Sequence, residues 1–291
     1  MFFFLALAIP THLGLTSRTM LDRELVEAVK VAREAGAILL HIYGTDFAVE
    51  QKGPSDPVTE ADRQVNALIV SRIHDTFPSD GIVAEEGGSQ VGRDPSRVWY
   101  IDPLDGTKEF IAKNGEFSVM IGLAVEGEAR LGVVYQPSTG KLYRGVVGDG
   151  AFYEVGDKTW LLKVSDTMDP SQLRLVVSRS HRPESTGPLM EKLGITSERA
   201  SGSVGLKVGL IAERQADLYV HMSNRTSTWD ACAPDAILRA AGGQFTDLSG
   251  RPLRYDPTKN ENAHGILACN RKAFDRVLPV VEELAKGAGL V

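Results

Sequence analysis

A mixed fold, α+β at first and α/β toward the C-terminal end, is the class this sequence predicts. Three observations carry that reading. Two helical patterns open the chain, β-rich runs separated by turn residues follow, and helical and strand patterns then alternate to the end.

The elements are justified in order. Residues 21–43 read as a helix because Leu25, Val29, Ala32, Ala35 and Leu39 recur at three- and four-residue spacing, and Gly44 closes the run. Residues 60–77 repeat the pattern with Ala61, Val65, Leu68, Ile69 and Ile73, and Thr59 with Asp62 has the spacing of a capping box. Residues 81–84 form a short buried strand leading into Glu85-Glu86. Residues 98–102 form another, ending at Asp-Pro-Leu-Asp-Gly-Thr. Segments 117–126, 129–136 and 141–147 read as an antiparallel meander, with turns at Glu126-Gly127 and Ser138-Thr139-Gly140. A strand at 173–178 then opens the alternation: helices near 184–193 and at 204–214, a strand at 217–221, a helix at 230–241, a strand at 265–268 and a helix at 271–285. Turn-rich 165–170 marks the expected boundary between an N-terminal α+β unit, 21–170, and a C-terminal α/β unit, 171–291.

Bulk properties narrow the function. The net charge is −6, which disfavours nucleic-acid partners, and no Lys/Arg run suggests a polybasic membrane patch. The two cysteines, Cys232 and Cys269, form no paired motif, so a reducing compartment such as the cytoplasm is expected. The apolar start, residues 1–10, is too short to span a bilayer and no Lys or Arg precedes it. Residues 1–20 are expected to be a leader or the product of a start assigned too far upstream, outside the fold.

The chemistry centres on residues 102–107. Asp102 and Asp105 lie close together after a strand, and each raises the other's pKa unless a cation sits between them. A hard, oxygen-seeking cation such as Mg²⁺ resolves that repulsion. Gly106 permits a tight turn, and free N–H groups at a following helical turn would suit a phosphate. Metal-binding carboxylates beside phosphate-binding donors suggest metal-assisted phosphate-ester hydrolysis. An ordinary Asx turn explains the same residues equally well on their own. The Asp-x-x-Asp spacing disfavours the aspartyl-phosphate chemistry of Asp-x-Asp phosphatases. Glu85-Glu86 alone could be a solvated turn, and Asp230 after Trp229 a plain helix cap.

Taken together, Val-Thr-Glu-Ala-Asp (58–62), Ala-Glu-Glu (84–86), Asp-Pro-Leu-Asp-Gly-Thr (102–107) and Trp-Asp-Ala-Cys-Ala-Pro (229–234) resemble the inositol monophosphatase superfamily. The likeness runs from about residue 22 to 287. It implies a layered αβαβα sandwich and a lithium-sensitive phosphatase using two or three Mg²⁺ ions. The form Asp105-Gly-Thr-Lys-Glu-Phe110 and the segment Trp229–Leu238 resemble more closely the 3′(2′),5′-bisphosphate nucleotidases. Those enzymes remove the 3′-phosphate of adenosine 3′,5′-bisphosphate, a by-product of sulfur assimilation, and the 3′-phosphosulfate is a second candidate. An inositol-1-phosphate or other sugar-phosphate phosphatase is the alternative.

The resemblance also implies roles. Glu85, Asp102, the Leu104 carbonyl, Asp105 and Asp230 would hold the metals and, through them, the substrate. Thr107 and Asp62 would orient and deprotonate the attacking water, with Glu86 an acidic neighbour. Gly106 and Thr107 would offer N–H groups to phosphate, while Ser178, Ser203 and Lys207 would face the nucleotide. The segment Ser178-Arg-Ser-His-Arg182 resembles the one that meets the nucleotide in bisphosphate nucleotidases, with a surface loop the alternative for His181. His221 and His264 have no matched role, Trp229 reads as core, and a homodimer is one candidate assembly.

Overall fold

The computed structural model describes residues 21–53 and 56–291; the expectation for residues 1–20 lies outside the described residues. The first half runs α1 (Asp22–Tyr43), a hairpin of β1 (Val49–Gly53) and β2 (Asp56–Thr59), α2 (Glu60–Thr76), β3 (Asp80–Ala84), β4 (Asp94–Asp105) and a short α3 (Thr107–Ile111). A meander follows: β5 (Ser118–Val125), β6 (Glu128–Gln136), β7 (Lys141–Val146), β8 (Gly150–Val155) and β9 (Lys158–Leu162). The second half runs β10 (Arg174–Ser178), α4 (Thr186–Leu193), β11 (Ser197–Ser201), α5 (Val204–Ala212), β12 (Leu218–His221), α6 (Thr228–Ala240), β13 (Gln244–Thr246), β14 (Ile266–Cys269) and α7 (Phe274–Gly287).

Among the described residues, β3 to β9 form a seven-stranded sheet in chain order, parallel only at β3–β4. A five-stranded mixed sheet has the order β11-β10-β12-β14-β13.

Strand alternation dictates the layers. On β5, Val119, Ile121 and Leu123 pack with α1 and α2, whereas Met120 and Ala124 join the core shared with α5 and α6. On the second sheet, Val176, Tyr219, Ile266 and Ala268 face that same central core. Leu175, Val177, Leu218 and Leu267 face the core that contains Leu189 of α4 and Val277 and Val281 of α7. Both faces of both sheets are apolar, so each must be covered on both sides. The result is the expected αβαβα stack: α1/α2, large sheet, α5/α6, small sheet, α4/α7.

A row of glycines seats the central helix. Gly122, Gly132 and Gly145 stand in register across β5, β6 and β7. A Cβ on Gly122 would lie 2.7 Å from Ala233 N, one on Gly132 2.1 Å from the Ala233 carbonyl oxygen, and one on Gly145 3.1 Å from Ile237 Cα. The backbone of α6 therefore rests directly on the sheet, in a channel that no side chain fills.

Several elements escape the residue pattern. The β1–β2 hairpin, α3, β8, β9, β11 and β13 were not expected. Strand β9, Lys-Thr-Trp-Leu-Leu, is exposed at four of its five positions, and β11, Ser-Glu-Arg-Ala-Ser, is almost wholly polar. Both are sheet edges, where one-sided burial imposes no alternation to read. Strand β4 is also longer than expected: it runs through both aspartates instead of ending at the first.

Gly132→Ala is expected to destabilise the protein by about 1–3 kcal/mol or more, because the clash is with helix backbone rather than a mobile side chain. Gly187→Ala in α4, where the added methyl meets nothing within 4 Å, is expected to be neutral or stabilising by about 0.4–1 kcal/mol. Urea denaturation of both variants checks the contrast.

Candidate metal centre and active site

Residues three apart on a regular strand point to opposite faces, yet Asp102 and Asp105 share one. The register with β5 shows how: Asp102 pairs with Met120 and Asp105 with Ser118, so two residues of β4, Pro103 and Leu104, oppose Val119 alone on β5. This β-bulge spans Pro103, which has no N–H to give the ladder. Both carboxylates consequently face the α5/α6 layer. The Leu104 amide donates to Asp102 Oδ1 at 2.9 Å and holds the turn.

Helix α6 brings the third acid. Its N-terminal capping box pairs Ser227 with Asp230, whose Oδ2 accepts from the Ser227 amide at 2.6 Å. Carboxylate oxygens of Asp102, Asp105 and Asp230 lie within 4.8 Å of one another. Glu85, leaving β3 beside β4, reaches hydrogen-bonding contact with Asp102, which also contacts Asp230. Asp102 is 2% exposed and Asp105 8%. Burial first, then the charges of Glu85, Asp105 and Asp230, push the Asp102 carboxyl well above the carboxylate range. Burial, then Asp105 and Glu85, raise Asp230 to about 8. Burial also raises Asp105, against the opposing charge of Lys207 and hydrogen bonds from Ser203 Oγ at 2.5 Å and the Gly205 amide at 3.1 Å. Acid oxygens gathered this tightly, out of water and hard to ionise alone, are a donor set for a hard divalent cation.

Beside the cluster, α2 carries Asp62, 1% exposed. Its Oδ2 accepts from the amide and hydroxyl of Thr59, the expected capping box. Its Oδ1 lies 3.3 Å from Thr107 Oγ1, which is also 3.2 Å from the Leu104 carbonyl. Gly106 turns the chain into α3 at φ +98°, and a Cβ there would lie 2.9 Å from the Glu116 carbonyl oxygen. Glu86 sits on the flank: its charge acts on Arg63 of α2, and it lines a cleft with Asn66 and Gln90.

The opposite wall comes from the small sheet. Ser203, expected at the substrate, is 3% exposed; it bonds Asp105 and accepts from the Leu206 amide as the cap of α5. Lys207 is likewise 3% exposed, over the Tyr219 ring at 5.1 Å, so it is not on a solvated helix face. Ser178 closes β10 level with Ser201, and its followers make the cross-sheet contacts. Arg179 pairs with Glu116, Ser180 donates to Glu109, and His181 Nε2 accepts from Lys108 Nζ at 2.6 Å. Desolvation, then the positive charge of Lys108, holds the His181 imidazole below its usual value, with Lys207 and Arg225 adding to the effect. Ser180 and His181 fall in the segment 178–182 that the resemblance singled out, and Lys108 and Glu109 form the Lys-Glu pair within Asp-Gly-Thr-Lys-Glu-Phe, but none of the four carried an assigned role; Arg225 had no signal in the sequence.

In chelator, the raised Asp230 makes native protein hold a proton that the unfolded chain, titrating near 3.8, has already released. Stability is therefore expected to fall as pH rises from about 4 to about 8. Asp235, raised to about 7 by burial, adds to the same slope. Urea midpoints at about pH 5 and about pH 8 in chelator check the sign, and Asp230→Asn is expected to make the difference smaller. A midpoint that rises with pH would contradict the electrostatics described.

Known proteins bear on this arrangement. A model of the inositol monophosphatase family matches residues 20–286. The chain is 36% identical over 238 residues to the 3′(2′),5′-bisphosphate nucleotidase CysQ of Escherichia coli (strain K12), covering 80% of this chain and 94% of that protein. It is 31% identical over 265 residues to the fructose-1,6-bisphosphatase/inositol-1-monophosphatase of Thermotoga maritima, covering 90% and 97%. The crystal structure of CysQ from Bacteroides thetaiotaomicron superposes with a TM-score of 0.73 at 31% identity, covering 87% of this chain and 99% of that one. With its layers and acidic cluster in agreement, the chain belongs to the inositol monophosphatase family of phosphatases.

Proposed function

We propose that the protein hydrolyses the 3′-phosphate of adenosine 3′,5′-bisphosphate, using Mg²⁺ held by Glu85, Asp102, the Leu104 carbonyl, Asp105 and Asp230. The observation that carries this reading is the pairing of an acidic centre with a basic wall. Lys108 reaches His181, whose ring also feels Lys207 and Arg225, and Lys207 bears in turn on Asp105 and Asp230 of the cluster. A substrate with two phosphates uses both: one at the acidic centre through cations, the other against the basic wall. A monophosphate such as inositol-1-phosphate would leave the wall unused. The similarity to bisphosphate nucleotidases supports the same choice.

When bound, Mg²⁺ would polarise the phosphoryl oxygens and acidify the attacking water. The chain's own groups do the rest. Thr107 Oγ1 donates toward Asp62 Oδ1, which leaves its lone pair to accept from water. Attack forms the new P–O bond as the bond to the 3′-oxygen breaks, the water proton passes along Thr107 to Asp62, and the leaving 3′-oxygen takes a proton from solvent water to become the hydroxyl. Thr59 holds the other oxygen of Asp62 and so fixes the direction of the relay. Ser203 and the Gly205 amide hold Asp105 in place as the small sheet closes over it.

Phosphate release with Mg²⁺ from adenosine 3′,5′-bisphosphate, its 2′,5′ isomer, the 3′-phosphosulfate, inositol-1-phosphate and fructose-1,6-bisphosphate tests the substrate. The first is expected to give the highest kcat/KM, and faster release from inositol-1-phosphate would overturn the nucleotidase reading. Asp62→Asn is expected to lower kcat by about 10²–10⁴-fold while leaving the fold intact.

A further inference from the structure

Glu109 is a carboxylate that faces the basic wall. It sits on α3, four residues beyond Asp105, and is only 5% exposed. A buried carboxylate so close to an acidic cluster and a phosphate subsite is costly unless it is paired. Its negative charge indeed adds to the repulsion on Asp105. Its partners all lie across the cleft, on the small-sheet side. Ser180 Oγ donates to Glu109 Oε1, and the charges of Arg179 and Lys207 bear on it. Gly202 makes room: a Cβ there would lie 2.5 Å from Glu109 Cγ and 2.5 Å from the Glu116 carbonyl oxygen. The preceding residue, Lys108, reaches the same segment at His181. Farther along the chain, Glu116 clamps Arg179 through both carboxylate oxygens and takes the Gly202 amide at 2.7 Å.

We propose that Glu109 is a positioning residue that sets specificity for a bisphosphate by tying segment 179–182, which follows β10, to α3, which follows Asp105. Its side chain accepts a hydrogen bond from Ser180. It acts through Ser180 and the packed surface at Gly202, and so fixes the distance between the acidic centre and the basic wall. That distance is what distinguishes a substrate with a second phosphate from one without. The proposal rests on the bisphosphate reading for its kinetic consequence, but not for the tether itself.

Two measurements test it. In steady-state kinetics with Mg²⁺, Glu109→Ala is expected to raise KM for adenosine 3′,5′-bisphosphate by about tenfold or more, with kcat changed by less than about threefold, as for loss of one buried hydrogen-bond acceptor. Kinetics on adenosine 3′-monophosphate are expected to stay unchanged. Ser180→Ala should move KM the same way, and the double variant should be no worse than Glu109→Ala, because the two residues act as one unit. Glu109→Gln, which still accepts from Ser180, should restore KM to within about threefold of the wild type. Equal losses on both substrates, additive effects, or no rescue by Gln would overturn the proposal. The second measurement needs no substrate. Amide hydrogen exchange of residues 179–182 is expected to speed up about tenfold in Glu109→Ala and to recover in Glu109→Gln. If the wild type prefers inositol-1-phosphate, the nucleotidase reading fails alone; unchanged exchange in Glu109→Ala then overturns the tether on its own evidence.

Discussion

Carboxylates repel, and everything at this site depends on forcing several of them together out of water. Two devices achieve it. A bulge at Pro103 turns Asp102 and Asp105 to one side of β4, and a channel of glycines seats α6 against β5 to β7, which fixes where Asp230 emerges. Neither device involves charge. The repulsion is offset by helix-on-sheet packing in the central core, and a cation held there would relieve it. The cluster is thus strained electrostatically and stiff mechanically, the combination that a preorganised metal centre requires.

The cleft is also asymmetric. The large sheet and α6 supply acids, while the segments after β10 and β12, with α5, supply Lys207, His181 and Arg225. Lys207 sits between the two sets, buried among carboxylates and resting on Tyr219. Its ammonium partly compensates the cluster and is one charge against several, so the acidic centre still needs divalent cations. The cleft thus sets carboxylates beside cationic side chains within one phosphatase site.

Much of this was visible in the residues. The periodic helices α1 and α2, the β5–β7 meander and the later helices all carry one-sided or two-sided apolar patterns that burial enforces. The acid-rich motifs at 58–62, 84–86, 102–107 and 229–234 stand out because acids at strand ends and helix caps have few other uses together. The hidden parts share a cause. β9 and β11 are edges with no face to alternate, and the extension of β4 past Asp102 depends on a bulge. Ser203 looked like a ligand-facing hydroxyl, yet it is spent on Asp105 and the α5 cap. Glu109 and His181 gain meaning only from neighbours about seventy residues away.

By itself, the amino-acid order determined the phosphatase family, the helices and central strands, and the acids that gather, because hydrophobic period, capping and carboxylate spacing are local properties. Only the folded chain decided which faces those acids share, what holds them, and which cations stand opposite. Those outcomes depend on the register between β4 and β5, on the absence of side chains at Gly122, Gly132 and Gly145, and on two sheets meeting across a cleft. Such contacts join residues far apart in the chain, and no local pattern encodes them.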